Sequence, residues 1–559
     1  MTVINSFSGD LRVWLNRTFG HWRGDLTGGL TAAVVALPLA LAFAVASGVD
    51  PKAGLYTAVV AGIVAAVFGG SPVQITGPTG AMAVILVGIV AKYGIEKVWI
   101  AGVMAGIIQV ALGVAKLGRL VKFIPYPVTA GFTNGIAVII FCGQLNNFFG
   151  LQLPRSEHFL PSLWQTVTHL EGMSGAAVGL AVVVIVTKLF WARITTTIPG
   201  SLVGLVLATA IASVFHLNVP TIGSIPQSLP FPHTIPHWND FGLIRELITP
   251  ALALAALGSI ESLLSAVVAD GMTVSEKHNS DRELIGQGLA NIVVPFFGGI
   301  PETGAIARTA VNVRSGGKTR LSGVIHGLAL AIIILTLAPL AAQIPLAALA
   351  GILMVTSVRM IEWEAIGLLL RATYSDFAVM LLTWTVTIFF DLVLAVEVGL
   401  IAAGALFIKR MSELSLVKVP ETEAFPPGIP LELTKQIAVY RVDGPVFFGA
   451  AERFVTFLRD EPEVKYLILR MRFVPNMDTT GLVALEDIYR DLKRHDCRLL
   501  FSGLQPEVQT LLERTGLLDK IGLENCFETT DAAICALNPD LEACKRGLAS
   551  NLRSEELVA

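Results

Sequence analysis

Two stretches of this 559-residue chain decide its fold: Gly69-Gly70-Ser71-Pro72-Val73-Gln74-Ile75-Thr76-Gly77-Pro78-Thr79-Gly80-Ala81 and Gly298-Gly299-Ile300-Pro301-Glu302-Thr303-Gly304-Ala305. In the first, glycine and proline forbid a continuous helix before about position 79, and an apolar half-helix follows. The second opens an equally short run that ends near Val313. Irregular backbone at membrane depth is tolerated only where protein or a water-filled cavity surrounds it. The chain around both stretches is membrane-like. Hydrophobic residues make up 53% of it and charged residues 15%, with mean hydropathy +0.69, where a soluble chain carries about 25% charged residues.

Apolar runs fall at 26–46, 53–69, 80–92, 98–116, 127–145, 174–191, 199–216, 249–270, 284–298, 303–314, 322–342, 346–361, 375–391 and 395–409. A spanning helix needs about 20 apolar residues, so these read as about fourteen spans of an all-α polytopic domain. The broken segments open the third and the tenth. They sit at matching positions if the domain is two repeats of seven, the pattern that points to a binding site between inverted repeats. A half-helix leaves its first N–H groups unpaired and carries roughly +0.5 charge there. Two such ends facing one another near the midplane make an anion site without a dedicated cation. The plainer reading is a pair of glycine-packed loops between full spans.

The positive-inside rule gives the orientation. With a cytoplasmic N-terminus, the inner loops hold Lys116, Arg119, Lys122, Lys188, Arg193, Lys277, Arg282, Arg314, Lys318, Arg320, Arg359, Arg371, Lys409 and Arg410. The outer loops hold only Lys52, Lys92, Lys97, Arg155 and Arg245, and residues 217–244 hold none. Both termini are therefore expected in the cytoplasm. Residues 409–559 return to ordinary charge density. Residues 1–24 read as a cytoplasmic segment, 25–415 as the transport domain, 416–432 as a Pro-rich linker, 433–545 as a small cytoplasmic α/β domain, and 546–559 as a tail. Strand-like 436–442, 466–471 and 498–502 alternate with helix-like 450–459, 481–495 and 506–515.

Glu261 falls midway along the eighth span, where a carboxylate is costly. It binds Na⁺, carries a coupled proton, or accepts hydrogen bonds that hold the broken segments; the residues leave the three open. Arg308 adds positive potential to the site or snorkels to the interface. Asn134, Gln144, Asn146 and Asn312 read as interhelical hydrogen-bond partners, and Asp391 and Glu397 as interfacial. The net charge of −3 gives no reason to expect nucleic acid. The five cysteines show no CxxC, hence no metal site, and four of them lie in the polar region, which fits a reducing cytosol. HExxH, GxSxG and GxxxxGK[ST] are all lacking, which speaks against a membrane enzyme or a nucleotide-driven motor.

The stretches GDLTGGLTAAVVALPLALAFA (24–44), ITGPTGAMAVIL (75–86), GSIESLLSAVVADGM (258–272) and GGIPETGAIARTAVNVRSGGKT (298–319) resemble the SulP family of anion transporters, called solute carrier 26 in animals. VYRVDGPVFFGAAERF (439–454), VPNMDTTGLVALEDI (474–488) and LLERTGLLDKIG (511–522) resemble its STAS domain. The resemblance implies fourteen helices in two inverted seven-helix repeats, a core moving against a gate, and a homodimer. It implies an anion site lined by Gln74, Thr76, Thr79, Gly80 and Ala81 on one side and by Thr303, Gly304 and Ala305 on the other, with Arg308 adjoining and Glu261 as the coupling residue. Sulfate, bicarbonate and C4-dicarboxylates all fit such recognition. Bacterial dicarboxylate-type members carry Glu in the Gly258–Leu264 motif, whereas sodium-coupled cyanobacterial bicarbonate members carry Asp, which tilts the expectation toward H⁺ over Na⁺. No organic cofactor is expected. Secondary active, elevator-like symport in a bacterial inner membrane is the leading expectation. An anion channel, an uncoupled exchanger and a STAS-based sensor are the alternatives. In the STAS turn Asp478-Thr479-Thr480-Gly481, Thr480 is a candidate phosphosite; the plainer reading makes Asp478 a helix N-cap.

Overall fold

The computed structural model describes residues 21–119, 124–151, 153, 159–195, 198–223, 227–232, 241–273, 277–390, 392–414, 416–418, 430–446 and 464–538. The expected helix 450–459, the tail 546–559, Asp391, most of the N-terminal segment and most of the linker lie outside these residues. The chain divides into two compact units, Met1–Ala403 and Gly404–Ala559.

In the first unit every expected span is a helix. We label them α1 Trp22–Ala46, α2 Pro51–Phe68, α3 Gly80–Tyr93, α4 Ile95–Val114, α5 Tyr126–Gly143, α6 Gly175–Phe190 and α7 Gly200–Val214. The second seven are α8 Phe241–Met272, α9 Ser280–Val293, α10 Ile306–Arg314, α11 Leu321–Ala341, α12 Leu346–Met360, α13 Tyr374–Phe389 and α14 Leu392–Leu414. Local chemistry explains several starts. The Asp50 side chain accepts from the Lys52 N–H at 3.0 Å with Pro51 at the first helical position, and Asn279 caps α9 through Arg282 N–H at 3.0 Å. The connecting helices Phe159–Thr168 and Trp363–Ala372 had no place among the expected spans. α8 also begins eight residues before the expected 249, because its first turns are polar.

The packing repeats with a period of seven helices. α4 packs on α9 as α11 packs on α2; α11 on α1 as α4 on α8; α13 on α5 as α6 on α12. That is the contact map of two inverted repeats, with α1–α4 and α8–α11 in one packing group and α5–α7 with α12 and α13 in another. Small residues set a close crossing of α4 and α9. A Cβ on Gly106 of α4 would stand 2.5 Å from the Gly288 carbonyl oxygen, and one on Gly288 of α9 would stand 2.6 Å from that of Gly106. Without a hydrophobic driving force in lipid, such close backbone approach is what associates helices. Fully buried Asp25 on α1 ties the chain before α11 by accepting from Lys318 N–H at 2.7 Å, Thr319 N–H at 2.9 Å and the Thr319 hydroxyl at 2.6 Å.

The second unit holds a five-stranded sheet in the order β3-β4-β5-β6-β7: Leu416–Lys418, Ile437–Asp443, Tyr466–Phe473, Arg498–Ser502 and Cys526–Phe527. β4 to β7 run parallel, and β3 is antiparallel to β4 with Leu416 opposite Asp443. Residues 416–418 are thus sheet, where the sequence gives linker: three residues show no alternation to read. α15 (Thr479–Arg494) and α16 (Pro506–Arg514) follow β5 and β6. Tyr440, Leu469, Phe501, Leu485 and Leu512 fill one core, and Val439, Ile468, Leu500 and Ile534 another. Asp478 caps α15, accepting the Gly481 N–H at 2.8 Å, while Thr480 is exposed. Cys497 and Cys526 are free thiols, and Cys535 is disulfide-bonded.

Candidate functional site

The two broken segments meet. Thr76–Gly77 (β1) pairs antiparallel with Thr303–Gly304 (β2), Thr76 opposite Gly304 and Gly77 opposite Thr303. The Ala305 N–H donates to the Ile75 carbonyl at 2.9 Å, extending the ladder to the residue before α10. The starts of α3 and α10 are therefore held side by side by backbone hydrogen bonds, as the helix-end argument requires. Neighbouring helices saturate the surrounding backbone. Ile75 N–H donates to Thr309 Oγ1 at 3.0 Å and Asn312 Nδ2 to the Val73 carbonyl at 2.8 Å. Gly70 and Ser71 N–H both donate to Glu283 Oε2, at 2.7 and 2.8 Å. Unsatisfied backbone in hydrocarbon costs several kcal/mol per group, so this network is what permits a non-helical segment at this depth.

The expected liners all gather here, buried apart from a half-buried Glu261, but they differ in what their polar atoms touch. The Thr76 hydroxyl accepts from Gln287 Nε2 at 2.9 Å. Thr303 Oγ1 donates to the Gly258 carbonyl at 2.9 Å and lies 2.6 Å from the Ser262 hydroxyl, which in turn accepts from Gly304 N–H at 3.0 Å. These hydroxyls hold the ladder against α8 and α9. Thr79 does something else. As N-cap of α3 it accepts from Met82 N–H at 3.4 Å, and it donates its own proton to Glu261 Oε2 at 2.9 Å. Ala305, the N-cap of α10, offers no side-chain cap. Arg308, 1% exposed, does not reach an interface: its Nη2 donates to the Pro78 carbonyl at 2.7 Å, and its Nη1 has no hydrogen-bond partner among the described residues. Neither polar atom of the Gln74 amide has one either. A Cβ on Gly304 would displace the Gln74 side-chain amide, and one on Gly77 would come within 2.7 Å of Arg308 Nη1.

Polar capacity thus remains on Gln74, on Arg308 and at the uncapped start of α10. A cavity of about 1040 Å³ follows α3 toward Lys92, with a lining that includes Phe43, Ala83, Lys92, Ile140, Glu246 and Thr387 but neither Gln74, Arg308 nor any residue of α10. Phe43 and Ile140 also press on Gly80, where a Cβ would meet both, so the cavity runs along α3 and ends on the two side chains that cover its first residue.

Residues 22–383 match the sulfate permease family, and residues 429–533 match the STAS domain. The chain belongs to the sulfate permease family. It is a multi-pass membrane protein of that anion-transporter family, with a C-terminal STAS domain. Among its relatives is YvdB of Bacillus subtilis (strain 168), called a putative sulfate transporter, 42% identical over 87% of this chain and 92% of that one. The bicarbonate transporter BicA of Picosynechococcus is 34% identical over 92% of this chain and 94% of its own. The solved transmembrane domain of a cyanobacterial BicA covers 68% of this chain and 97% of its own, at 38% identity and TM-score 0.61. The murine solute carrier 26 family member A9, in an inward-facing state, shares the fold at TM-score 0.80 and 18% identity, covering 92% of this permease and 91% of that chain.

Several residues that build the site in this permease carry little signal in sequence. Glu283, Gln287 and Asn291 on α9 all face inward and are buried. Their spacing of four residues, one stripe of a helix, is the signal that marks them. Glu302, inside the second broken segment, is fully buried.

Proposed function

We propose that this permease performs secondary active uptake of a small anion, bound between the starts of α3 and α10 and coupled to a proton through Glu261. The observation that carries this reading is the 2.9 Å hydrogen bond from Thr79 to Glu261. It ties an ionisable group at membrane depth to the N-cap of the helix end that faces the anion, so occupancy of the site and protonation of Glu261 act on one another. Arg308 and the uncapped α10 amides supply positive potential without a metal. Gln74, Thr76, Thr79, Gly80, Ala81, Thr303, Gly304 and Ala305 shape the pocket.

Sulfate is the first candidate substrate, from the relative at 42% identity, and bicarbonate the second; C4-dicarboxylates remain the third. The α1–α4/α8–α11 group carries the whole site, which favours alternating access by movement of that group against the other. The Lys/Arg asymmetry favours cytoplasmic termini in a bacterial inner membrane, and we take the working unit to be a homodimer. The test is uptake of labelled sulfate, bicarbonate and fumarate into proteoliposomes under an imposed proton or sodium gradient. Proton-driven concentration of one anion is the expected result. Sodium-driven concentration overturns the coupling assignment, and passive flux alone makes the protein a channel or exchanger.

A further inference from the structure

Asp25, Glu261, Glu283 and Glu302 in the α1–α4/α8–α11 group are sorted by the hydrogen bonds they receive. Asp25 receives three donors. Glu283, 1% exposed, also receives three: two backbone N–H groups on Oε2 and Gln287 Nε2 on Oε1 at 2.8 Å. In both, the protein itself supplies hydrogen-bond donors to the carboxyl oxygens. Glu261 receives one donor, from Thr79. Glu302 receives none: it is 0% exposed, and neither carboxyl oxygen has a partner among the described residues. Its backbone, in contrast, is pinned, with its N–H donating to Asn291 Oδ1 at 2.8 Å and its carbonyl accepting from Asn291 Nδ2 at 3.1 Å. The side chain is held in place beside the β1–β2 ladder and left unpaired there.

An ionised carboxylate without donors in a dry interior costs several kcal/mol, and the group takes a proton instead. The charged groups that act on Glu302 are Arg308 on α10, Glu283 on α9 and Glu261 on α8, and Arg308 acts on Glu261 as well. One guanidinium is therefore shared by two carboxyls that are not otherwise neutralised. With Glu283 counted beside Arg308, protonating both leaves the site neutral and open to an anion, whereas ionising both leaves uncompensated negative charge that repels one.

We propose that Glu302 is a second proton carrier, acting with Glu261, so that two protons travel with each divalent anion. Resting on the reading of Glu261 given above, this deepens it to a stoichiometry and a charge class of substrate. On the loading side two protons add to the two carboxylates and the dianion enters beside Arg308. On the releasing side the dianion leaves and both carboxyls give up their protons, so the cycle moves no net charge. Linkage makes the effect reciprocal, with anion occupancy favouring protonation of both groups and protonation favouring the anion.

The experiment uses the full chain in proteoliposomes with sulfate as the probe, membrane potential clamped at zero, and a one-unit pH gradient. At balance the wild type concentrates sulfate about 100-fold, whereas Glu302→Gln reaches about tenfold, one factor of ten per proton; Glu302→Asp restores the higher value. A wild type that stops at about tenfold, or a Glu302→Gln protein that still reaches about 100-fold, overturns the proposal and leaves the Glu261 reading standing. A wild type that ignores the pH gradient overturns both. If Glu302→Gln folds but does not transport, sulfate binding in detergent decides. The slope of log Kd against pH is then expected to fall from two protons to one, and an unchanged slope refutes the second carrier.

Discussion

The two half-helices begin at equivalent points of the two repeats, but their first turns are built differently. α3 starts from a capped end: Thr79 covers the Met82 amide and hands its hydroxyl proton to Glu261. α10 starts from Ala305 with no side-chain cap, and it brings Arg308 into the site within its first turn. One end is wired to a titrating group and the other is left open for a ligand. On the proposed reading, the two repeats supply two copies of an anion-attracting helix start, of which one serves coupling and the other binding.

The largest effect is expected on the coupling side. Glu261→Gln keeps an oxygen for Thr79 to donate to but cannot exchange a proton, so gradient-driven accumulation is expected to vanish while monodispersity and thermal stability hold. Accumulation at the wild-type level would break the comparison. Next comes the binding side. Arg308→Gln removes a charge-assisted interaction of about 1.5–3 kcal/mol and is expected to raise the anion Kd about 10- to 100-fold by titration calorimetry, with an unchanged Kd assigning Arg308 to the scaffold alone. Ala305→Ser is a sharper probe, because it gives α10 the cap that α3 already has. The new hydroxyl competes with the anion for the same amides, so affinity is expected to drop several-fold while stability rises slightly. Smallest is Thr79→Val, which removes a cap worth about 1 kcal/mol. It should lower the melting temperature modestly and shift the pH profile of uptake without a comparable change in Kd at low pH. A change of Kd as large as that of Arg308→Gln would show the two ends to be equivalent after all.

The helices of the membrane domain were legible because their apolar runs are long and their boundaries are marked by charge, proline or a cap such as Asp50. The broken segments were legible for the opposite reason, since Pro72, Pro78 and Pro301 stand among glycines that favour no helix, whereas Pro38, Pro250 and Pro339 stand alone in apolar runs and are carried inside helices. The β1–β2 ladder was not, because two-residue strands have no period and their pairing joins positions in different halves of the chain. The side-chain network escaped for a related reason. Glu283 finds Gly70, and Asn312 finds Val73, only once α9 and α10 have packed. Glu302 was overlooked because sequence reports that a residue is charged but not whether anything donates to it. In the STAS domain, alternation exposed β4, β5 and β6, and missed the three-residue β3 and two-residue β7.

The ladder also sets the order in which the protein can be made. Thr76 leaves the ribosome well before its partner Gly304, which follows 228 positions later. At about 5–20 residues per second that is a delay of roughly 10 to 50 s. During that interval the first broken segment has neither its strand partner nor the α9 and α10 side chains that satisfy its backbone. The newborn first repeat must therefore wait in a shallow, hydrated or chaperone-guarded position. The junction of the two broken segments forms only once α10 has been made, and quality control, rather than lost transport, is where many substitutions on α9 and α10 will first be felt.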